Sequence, residues 1–458
     1  MRIQTVSAGV ALLLAGLAAV ASPVDADRIG KSLTAAGSSV EADGPIPKYE
    51  GRDVLEPGWT FGKNRQASWK YRGEKPLYTI DASNLAQHAT QLTPGQQAVF
   101  KSNPDYKMDV YPTHRSCAYP DFVIENTKRN VKEAKLGADG NSIATGVLPG
   151  LPFPGTQNGL EAIWNHLVRY SGLGYDTPVV RTFVSPRPGS DGWIDTVTDT
   201  TMFFPLNKRG ANKPTDFGAT YLAGFVKFLT PAALAGQSLV QRSMFGEAQE
   251  TYFYFPGQRR VRRMPTYAYD APMLGYENQI MVDASFTFNG NPDRYDWKLV
   301  GEKPMIVPYN AFAMYDNEVK VADVTQPKSV GQKVRRYELH KVYVVEATVK
   351  GGRRHSAPKR VFYLDADTYL ALVADDYDEQ GKLWKYRESY AMPVHELGGA
   401  CAMVPYSQYD MQSGRYIVDF VTADTPAAKG FKFYLDSNEP RFKLDFYTQD
   451  NLRAISER

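Results

Sequence analysis

The chain reads as mainly β with helices, an α+β fold built on antiparallel sheet, and three observations predict it. Tyrosine and phenylalanine are abundant, at 29 and 22 residues, and 37 glycines with 30 prolines supply turns, a combination that favours sheet over helix. Beyond Val179 short strand-like runs recur between turn signals. No internal repeat at a fixed short period is present, which argues against propellers and solenoids.

Taken in order, residues 1–21 open with Met1 and Arg2, run through the uncharged apolar stretch Val6 to Val20, and reach Ala19-Val20-Ala21 before Ser22. That is a signal-peptide pattern with cleavage near Ala21. The apolar stretch is shorter than the roughly 20 residues of a membrane-spanning helix, so the product should be soluble and exported. No cysteine begins the mature chain, and a lipoprotein modification is not suggested. From Ser22 to about Gly58 the chain is polar and reads as an extended or partly ordered arm. Between Asp81 and Lys101, helix starts at Asp81 or Ser83 and at Thr93-Pro94 predict two short helices.

A clearer helix runs from about Asn158 to Tyr170, where Leu160, Ile163, Trp164, Leu167 and Val168 share a face. His166 and Arg169 lie off that stripe, and a lone histidine there reads as a surface or hydrogen-bonded residue. Strands follow near 179–185, 193–204, 219–229, 237–245 and 250–256. Residues 337–349 place Tyr337, Leu339, Tyr343, Val345, Ala347 and Val349 on one face, with Glu338, His340, Glu346 and Thr348 on a wetter one. VFYLDADTYLALVADDYDEQGKLWKYRESY then gives three strands of an antiparallel meander. In its last strand Trp384, Tyr386 and Tyr390 oppose Lys385 and Arg387, so the aromatic side is available to a core or an apolar cavity.

The charge pattern is informative in one place. Lys+Arg 53 against Asp+Glu 50 is nearly balanced, which argues against general nucleic-acid binding. The stretch Phe255 to Phe312, strand-like and aromatic, carries Arg259, Arg260, Arg262 and Arg263 within five residues. These arginines need partners. Asp270, Glu277, Asp283, Asp293 and Asp296 downstream suit Arg–carboxylate pairing, and an anionic ligand or partner is the alternative.

Cys117 and Cys401 would meet an oxidising compartment after export, either bridged or as two buried thiols. A bridge would stabilise by on the order of 5 kcal/mol in the chain-entropy model. Six histidines are scattered singly, and no nucleophile elbow, phosphate loop or dinucleotide fingerprint occurs. No metal site or cofactor is suggested. The pairs Asp375–Asp376 and Asp365–Asp367 sit where turns and strand ends are expected, which is weak support for catalysis.

The segments FPGQRRVRRMPTYAYD, FNGNPDRYDWKLVGEKPMIVPYNAF and RRYELHKVYVVEATVKGGRRHSAPKRVFYLDADTYLALVADDYDEQGKLWKYRE, with YPTHRSCAYP and NGLEAIWNHLVRY, carry a resemblance over most of the mature sequence. The chain resembles a domain-of-unknown-function family of exported Gram-negative proteins often labelled outer membrane lipoprotein-sorting proteins, of the LolA/LolB-like superfamily. The resemblance implies a strongly curved antiparallel sheet, an incomplete barrel whose concave side is covered by helices and holds acyl chains. It also implies a periplasmic carrier encoded beside exporters of the resistance-nodulation-division (RND) superfamily. The chain is about twice as long as the small carriers, and no ligand contact transfers residue by residue.

The expected organisation is therefore a signal peptide over 1–21, an irregular and helical N-terminal extension over 22–150 that could be a lid or docking surface, and a curved-sheet domain over 151–458. The expected function is a periplasmic carrier or binding protein, not an enzyme, for a lipid, lipoprotein acyl chain or other hydrophobic molecule, working with an inner-membrane exporter and an outer-membrane acceptor. Its apolar lining is expected from Tyr252, Tyr254, Tyr343, Val345, Trp384 and Tyr386. The alternatives are an outer-membrane-associated β protein, which the charged ending Ser456-Glu457-Arg458 opposes, and an exported hydrolase.

Overall fold

The computed structural model describes residues 24–457, so the signal-peptide reading of residues 1–21 lies outside the described residues. Within them the alternating segments pair into one sheet of 16 strands. In chain order these are β1 (Tyr78–Ile80), β2 (Met108–Tyr111), β3 (Gly174–Val184), β4 (Ile194–Phe203), β5 (Thr220–Thr230), β6 (Ser238–Met244), β7 (Glu250–Phe255) and β8 (Arg260–Arg263). They continue with β9 (Tyr295–Pro308), β10 (Tyr337–Val349), β11 (Lys359–Asp365), β12 (Ala371–Tyr377), β13 (Leu383–Ser389), β14 (Tyr406–Asp410), β15 (Arg415–Val421) and β16 (Lys432–Tyr434). The predicted strands and meander all appear, with ends shifted by a few residues.

In space the path runs β1, β2, β10 to β15, then β3 to β8, with β9 on the other edge of β10 and β16 beside β3. The late meander is thus inserted between β2 and β3. Every pair is antiparallel except β2 with β10. The path ends at β1 and β8, so the sheet is open, and the closed barrel of an outer-membrane protein is not what these residues form. Register shifts at Thr177/Val180, Val197/Thr198, Thr220/Leu222 and Val418/Val421 add the bulges that bend strands and strengthen their twist. These curve the half made of β15 and β3 to β6.

Four described helices of eight residues or more flank the sheet: α1 (Pro94–Ser102), α2 (Asp121–Glu133), α3 (Gly159–Leu167) and α4 (Gln449–Ser456). Thr93 caps α1 in a reciprocal box with Gln96, which satisfies two orphan N–H groups. Gly95 is required there, because a Cβ would meet the Asp375 carboxylate and the Tyr386 ring. Asn158 caps α3 by accepting from the N–H groups of Leu160 and Glu161. At the start of α3, Gly159 lies against the backbone of Lys298 and Leu299, an approach a Cβ would prevent. No described helix is long and apolar enough to cross a membrane.

Residues 24–150 share the main hydrophobic core. It takes in Trp69, Ile80, Phe100, Val110 and Val123 together with Tyr337, Phe362, Tyr386 and Ile417. This changes one expectation for β10: Glu338 and His340, placed on its wetter face, are almost wholly buried. The early chain covers them, and Glu338 accepts from His114 N at 2.8 Å, Arg336 Nε at 2.8 Å and Asn310 Nδ2 at 2.9 Å. Cys117 and Cys401 are disulfide-bonded, closing 284 residues of chain and fastening the early segment to the late one.

Asp375 is the electrostatic weak point of this packing. It is fully buried, and burial pushes its carboxyl up to about 7 despite hydrogen bonds from Gly95 N at 3.1 Å and Thr93 Oγ1 at 3.3 Å. Between about pH 4 and pH 7 the folded chain therefore holds a proton that the unfolded chain has released, so this group's contribution to stability falls as pH rises. Asp375→Asn keeps an acceptor for Gly95 and removes the charge. It should raise Tm at pH 8 by several degrees, with the gain shrinking toward pH 4 in thermal scans.

Candidate functional site

Between β8 and β9 the chain does not continue as sheet. Residues 264–290 form a strap with one 3-10 turn, Val282–Ala284, and they cross the curved face of the sheet. Pro265, Pro272 and Gly275 interrupt any ladder, and Tyr269, Glu277, Asn278, Phe286 and Thr287 all adopt positive φ. For a β-branched residue such as Thr287 this is a strained conformation that only its surroundings can hold.

Those surroundings are ionic. Arg360, Asp376 and Arg387 are fully buried on the sheet face beneath the strap. Asp376 accepts from Arg360 Nε at 3.1 Å and from Arg387 Nη2 at 2.8 Å. Arg360 Nη1 then reaches Asp283 of the strap at 3.0 Å, and His355 Nε2 lies 3.0 Å from the same oxygen. Burial alone would raise the Asp283 carboxyl, but the Arg360 guanidinium beside it and the hydrogen bonds from Arg360 and His355 hold it well below the usual range. Arg387 Nε donates to Thr287 O at 3.2 Å, and Lys385 Nζ and Gln408 Nε2 donate to Gln279 O. His166 completes the set: it accepts from Ala371 N at 3.1 Å and donates to Phe288 O at 3.0 Å. Burial and the nearby Arg169 charge hold this ring neutral.

Between the strap and the sheet lies a cavity of about 60 Å³. Met202, Val226, Phe228 and Leu239 line it from β4 to β6, and Tyr267, Met273, Tyr276, Val282 and Phe286 line it from the strap. Asp419 of β15 is its buried acid; burial pushes its carboxyl up although Thr182 Oγ1, Tyr406 OH and Phe420 N all donate to it. A second hollow of about 20 Å³ adjoins it, sharing Phe286 and Asn289 and lined further by Arg169, Tyr175, Phe204, Leu222 and Phe433. Leu274, on the cavity lining, is 37% exposed.

None of the six residues expected as lining borders either hollow. Tyr343, Val345 and Tyr386 are closed inside the main core, where Tyr343 stacks on Tyr369 and Tyr386 on Tyr409. Tyr254 packs on the opposite sheet face beneath Phe442, Tyr447 and Leu452, with Tyr252 half-buried at its edge. Trp384 is half-buried with the Lys385 ammonium 4.5 Å from its ring centroid. The alternation predicted in β13 is present, but the hollow lies on the side of Lys385 and Arg387. The aromatic side faces α1, and there the Tyr386, Tyr337 and Tyr390 hydroxyls all donate to the buried Glu388.

The arginine cluster is likewise external. Arg259, Arg260, Arg262 and Arg263 are all exposed on the edge hairpin of β7 and β8. Arg263 meets Glu250 at 3.3 Å and Arg262 meets Gln258 at 2.6 Å. Three of the five acids expected to neutralise them serve the strap instead: Asp270 pairs with Arg294, Glu277 with Arg187 and Arg415, and Asp283 with Arg360. The carboxylate pairs considered for catalysis are buried as well. Asp367 binds Arg115 through both oxygens, and Asp365 accepts from Thr368 at 2.6 Å.

An open, bulged sheet with an apolar hollow under an ion-anchored strap defines a half-barrel protein with an enclosed site. The chain belongs to the family described as Protein of unknown function (DUF1329), which it matches over residues 79–453. It is 38% identical over 420 residues to the uncharacterised protein PA3922 of Pseudomonas aeruginosa, with 89% of each chain covered. Among solved structures it is similar to a Vibrio parahaemolyticus domain described as an outer membrane lipoprotein-sorting protein, at 14% identity and TM-score 0.41 over 63% of this chain and 97% of that one. A DUF1329 family protein from Desulfovibrio piger aligns at 17% identity and TM-score 0.39, over 63% of this chain and 96% of that one. The LolA superfamily protein NE2245 of Nitrosomonas europaea aligns at 13% identity and TM-score 0.36, over 64% and 99%.

If the ion pairs position the strap, Asp283→Ala should destabilise the protein by about 3–5 kcal/mol, the cost of stripping a buried cation of its partner. In urea titrations the midpoint should fall. In hydrogen exchange, amides of 264–290 should lose protection before those of β10 to β13.

Proposed function

We propose that this protein is a periplasmic carrier or binding protein for a lipid, a lipoprotein acyl chain or another hydrophobic molecule. The observation that carries the reading is the apolar cavity between the curved sheet face and the strap. At about 0.8 kcal/mol per buried methylene, an acyl chain contributes on the order of 10 kcal/mol before binding costs. A long chain needs more room than about 60 Å³, so loading requires the strap to swing away. Its anchors are ion pairs and hydrogen bonds at identifiable points, and five of its residues hold strained backbone, features that suit an element with two positions.

The cellular setting belongs to the same proposal. The leader-like residues 1–21 and the Cys117–Cys401 bridge suit an oxidising, exported location. An RND-type exporter and an outer-membrane acceptor are the partners that the family resemblance implies. In this reading residues 24–150 are a buttress rather than a lid, because they supply β1 and β2 and share the core. A non-catalytic role is supported by Asp365, Asp367, Asp375 and Asp376, all buried rather than open to a cleft.

Native mass spectrometry of protein purified from a periplasmic fraction should find a co-purifying lipid. The delipidated protein should bind a fluorescent acyl probe, and Gln241→Trp, which fills the cavity from β6, should weaken that binding at least tenfold. Protein that stays empty and ignores acyl probes would sink the carrier reading.

A further inference from the structure

Most interior arginines of this protein have carboxylate partners: Arg115 has Asp367, Arg387 has Asp376, and Arg360 has Asp283 and Asp376. Arg169 does not. It follows α3 and lines the smaller hollow. Its Nη1 donates to His166 O at 2.9 Å, within its own helix end, while its Nε is enclosed and has no hydrogen-bond partner among the described residues. The ionisable groups acting on it are the hydroxyls of Tyr175, Tyr119 and Tyr315, with no carboxylate among them. Burial pulls this guanidinium down to about 10, so it remains a cation at neutral pH.

A second side chain in the same hollow is also unsatisfied. Tyr175 is 2% exposed, its ring is fixed among Phe204, Phe431 and Phe433, and its hydroxyl has no partner. An enclosed donor left unpaired is costly, and more so when it is charged, so two in one hollow call for an acceptor. The apolar strap cavity continues from this point past Phe286 and Asn289. Asp419 lies along that cavity, its oxygens already taken by Thr182 Oγ1, Tyr406 OH and Phe420 N.

We propose that Arg169 and Tyr175 bind the anionic head of an amphiphile, a carboxylate or phosphate attached to an acyl chain, whose tail runs past Phe286 into the strap cavity. The inference rests on the carrier reading and adds the ligand's charge and its orientation. The neighbouring hollows match the two halves of such a molecule.

The test is equilibrium binding of a C16 fatty acid, a C16 lysophosphatidic acid and the C16 fatty alcohol to the delipidated full chain. A charge-assisted hydrogen bond of about 1.5–3 kcal/mol corresponds to roughly 10- to 100-fold. Wild type should prefer both anions to the alcohol by that factor. Arg169→Met should bring the anions down to the alcohol's affinity and leave the alcohol within about twofold, and Arg169→Lys should keep part of the preference. Tyr175→Phe, which retains the ring, should weaken the anions alone and serves if Arg169→Met does not fold. The tighter of the two anions identifies the head group, and either ranking supports the site. Equal affinity of wild type for acid and alcohol, or a preference surviving Arg169→Met, overturns this assignment and leaves the carrier reading standing. Wild type that binds none of the three removes both.

Discussion

Two arginines and two aspartates closed away from water, Arg360, Arg387, Asp376 and Asp283, are the constraint on which the site depends. Charges buried in a protein are tolerated only when each finds its partners in good geometry. Here the sheet register provides it. Arg360 stands directly across from Asp376, and Arg387 opposes Ala374, two residues along the same strand from Asp376. Such cross-strand and diagonal neighbours are within reach of long side chains. Asp376 thus receives both guanidinium groups, with Gln408 of β14 accepting a further bond from Arg387 Nη1. Arg360 Nη1 and Arg387 Nε reach outward to Asp283 and to Thr287 O, which places the strap.

That placement divides the molecule. On the aromatic side of β10 to β13 the space is filled by α1, β9 and the early chain, and tyrosine hydroxyls converge on Glu388. On the side of the strap the polar anchors concentrate over β11 to β14, while over β4 to β6 the strap contributes methionine and aromatic side chains and the packing is incomplete. The hollow exists because anchoring and apolar cover occupy different stretches of the same strap. A network this polar holds the cover in one position, because each buried charge must keep its partners.

The order of the strands was not legible beforehand, although the strands themselves were. The period of two in β10 and β13 and the turn signals at Asp365 to Asp367 and Asp378 to Gly381 could be read locally. So could the helix caps at Thr93 and Asn158. Which side of β13 would meet a hollow was another matter. Tyr386 and Arg387 alternate as expected, yet the aromatic side became core and the charged side faces the site, because α1 and the early chain arrive on the former and the strap on the latter. The strap was hidden for a related reason: Met273, Tyr276 and Phe286 look like strand residues, and only Pro265, Pro272 and Gly275 hinted otherwise. His166 and Arg169 lay off the helical stripe, and His166 read as a surface or hydrogen-bonded residue; in space it bonds Phe288 O of the strap, and Arg169 lines the smaller hollow.

What the sequence by itself determined is the local grammar: an antiparallel sheet rich in aromatics, four arginines within five residues, two cysteines that could pair, and membership of a domain-of-unknown-function family. These follow from propensity, periodicity and motif, which act over a few residues. Only the tertiary structure decided the insertion of β10 to β15 between β2 and β3, the pairing of Asp270, Glu277 and Asp283 with arginines far from the cluster beside them, and the side of the sheet that stays hollow. The physical reason is that charge pairing and burial are settled by which surfaces meet after the chain has closed on itself, and residues 24–150, β9 and the strap reach the sheet from distant parts of the sequence.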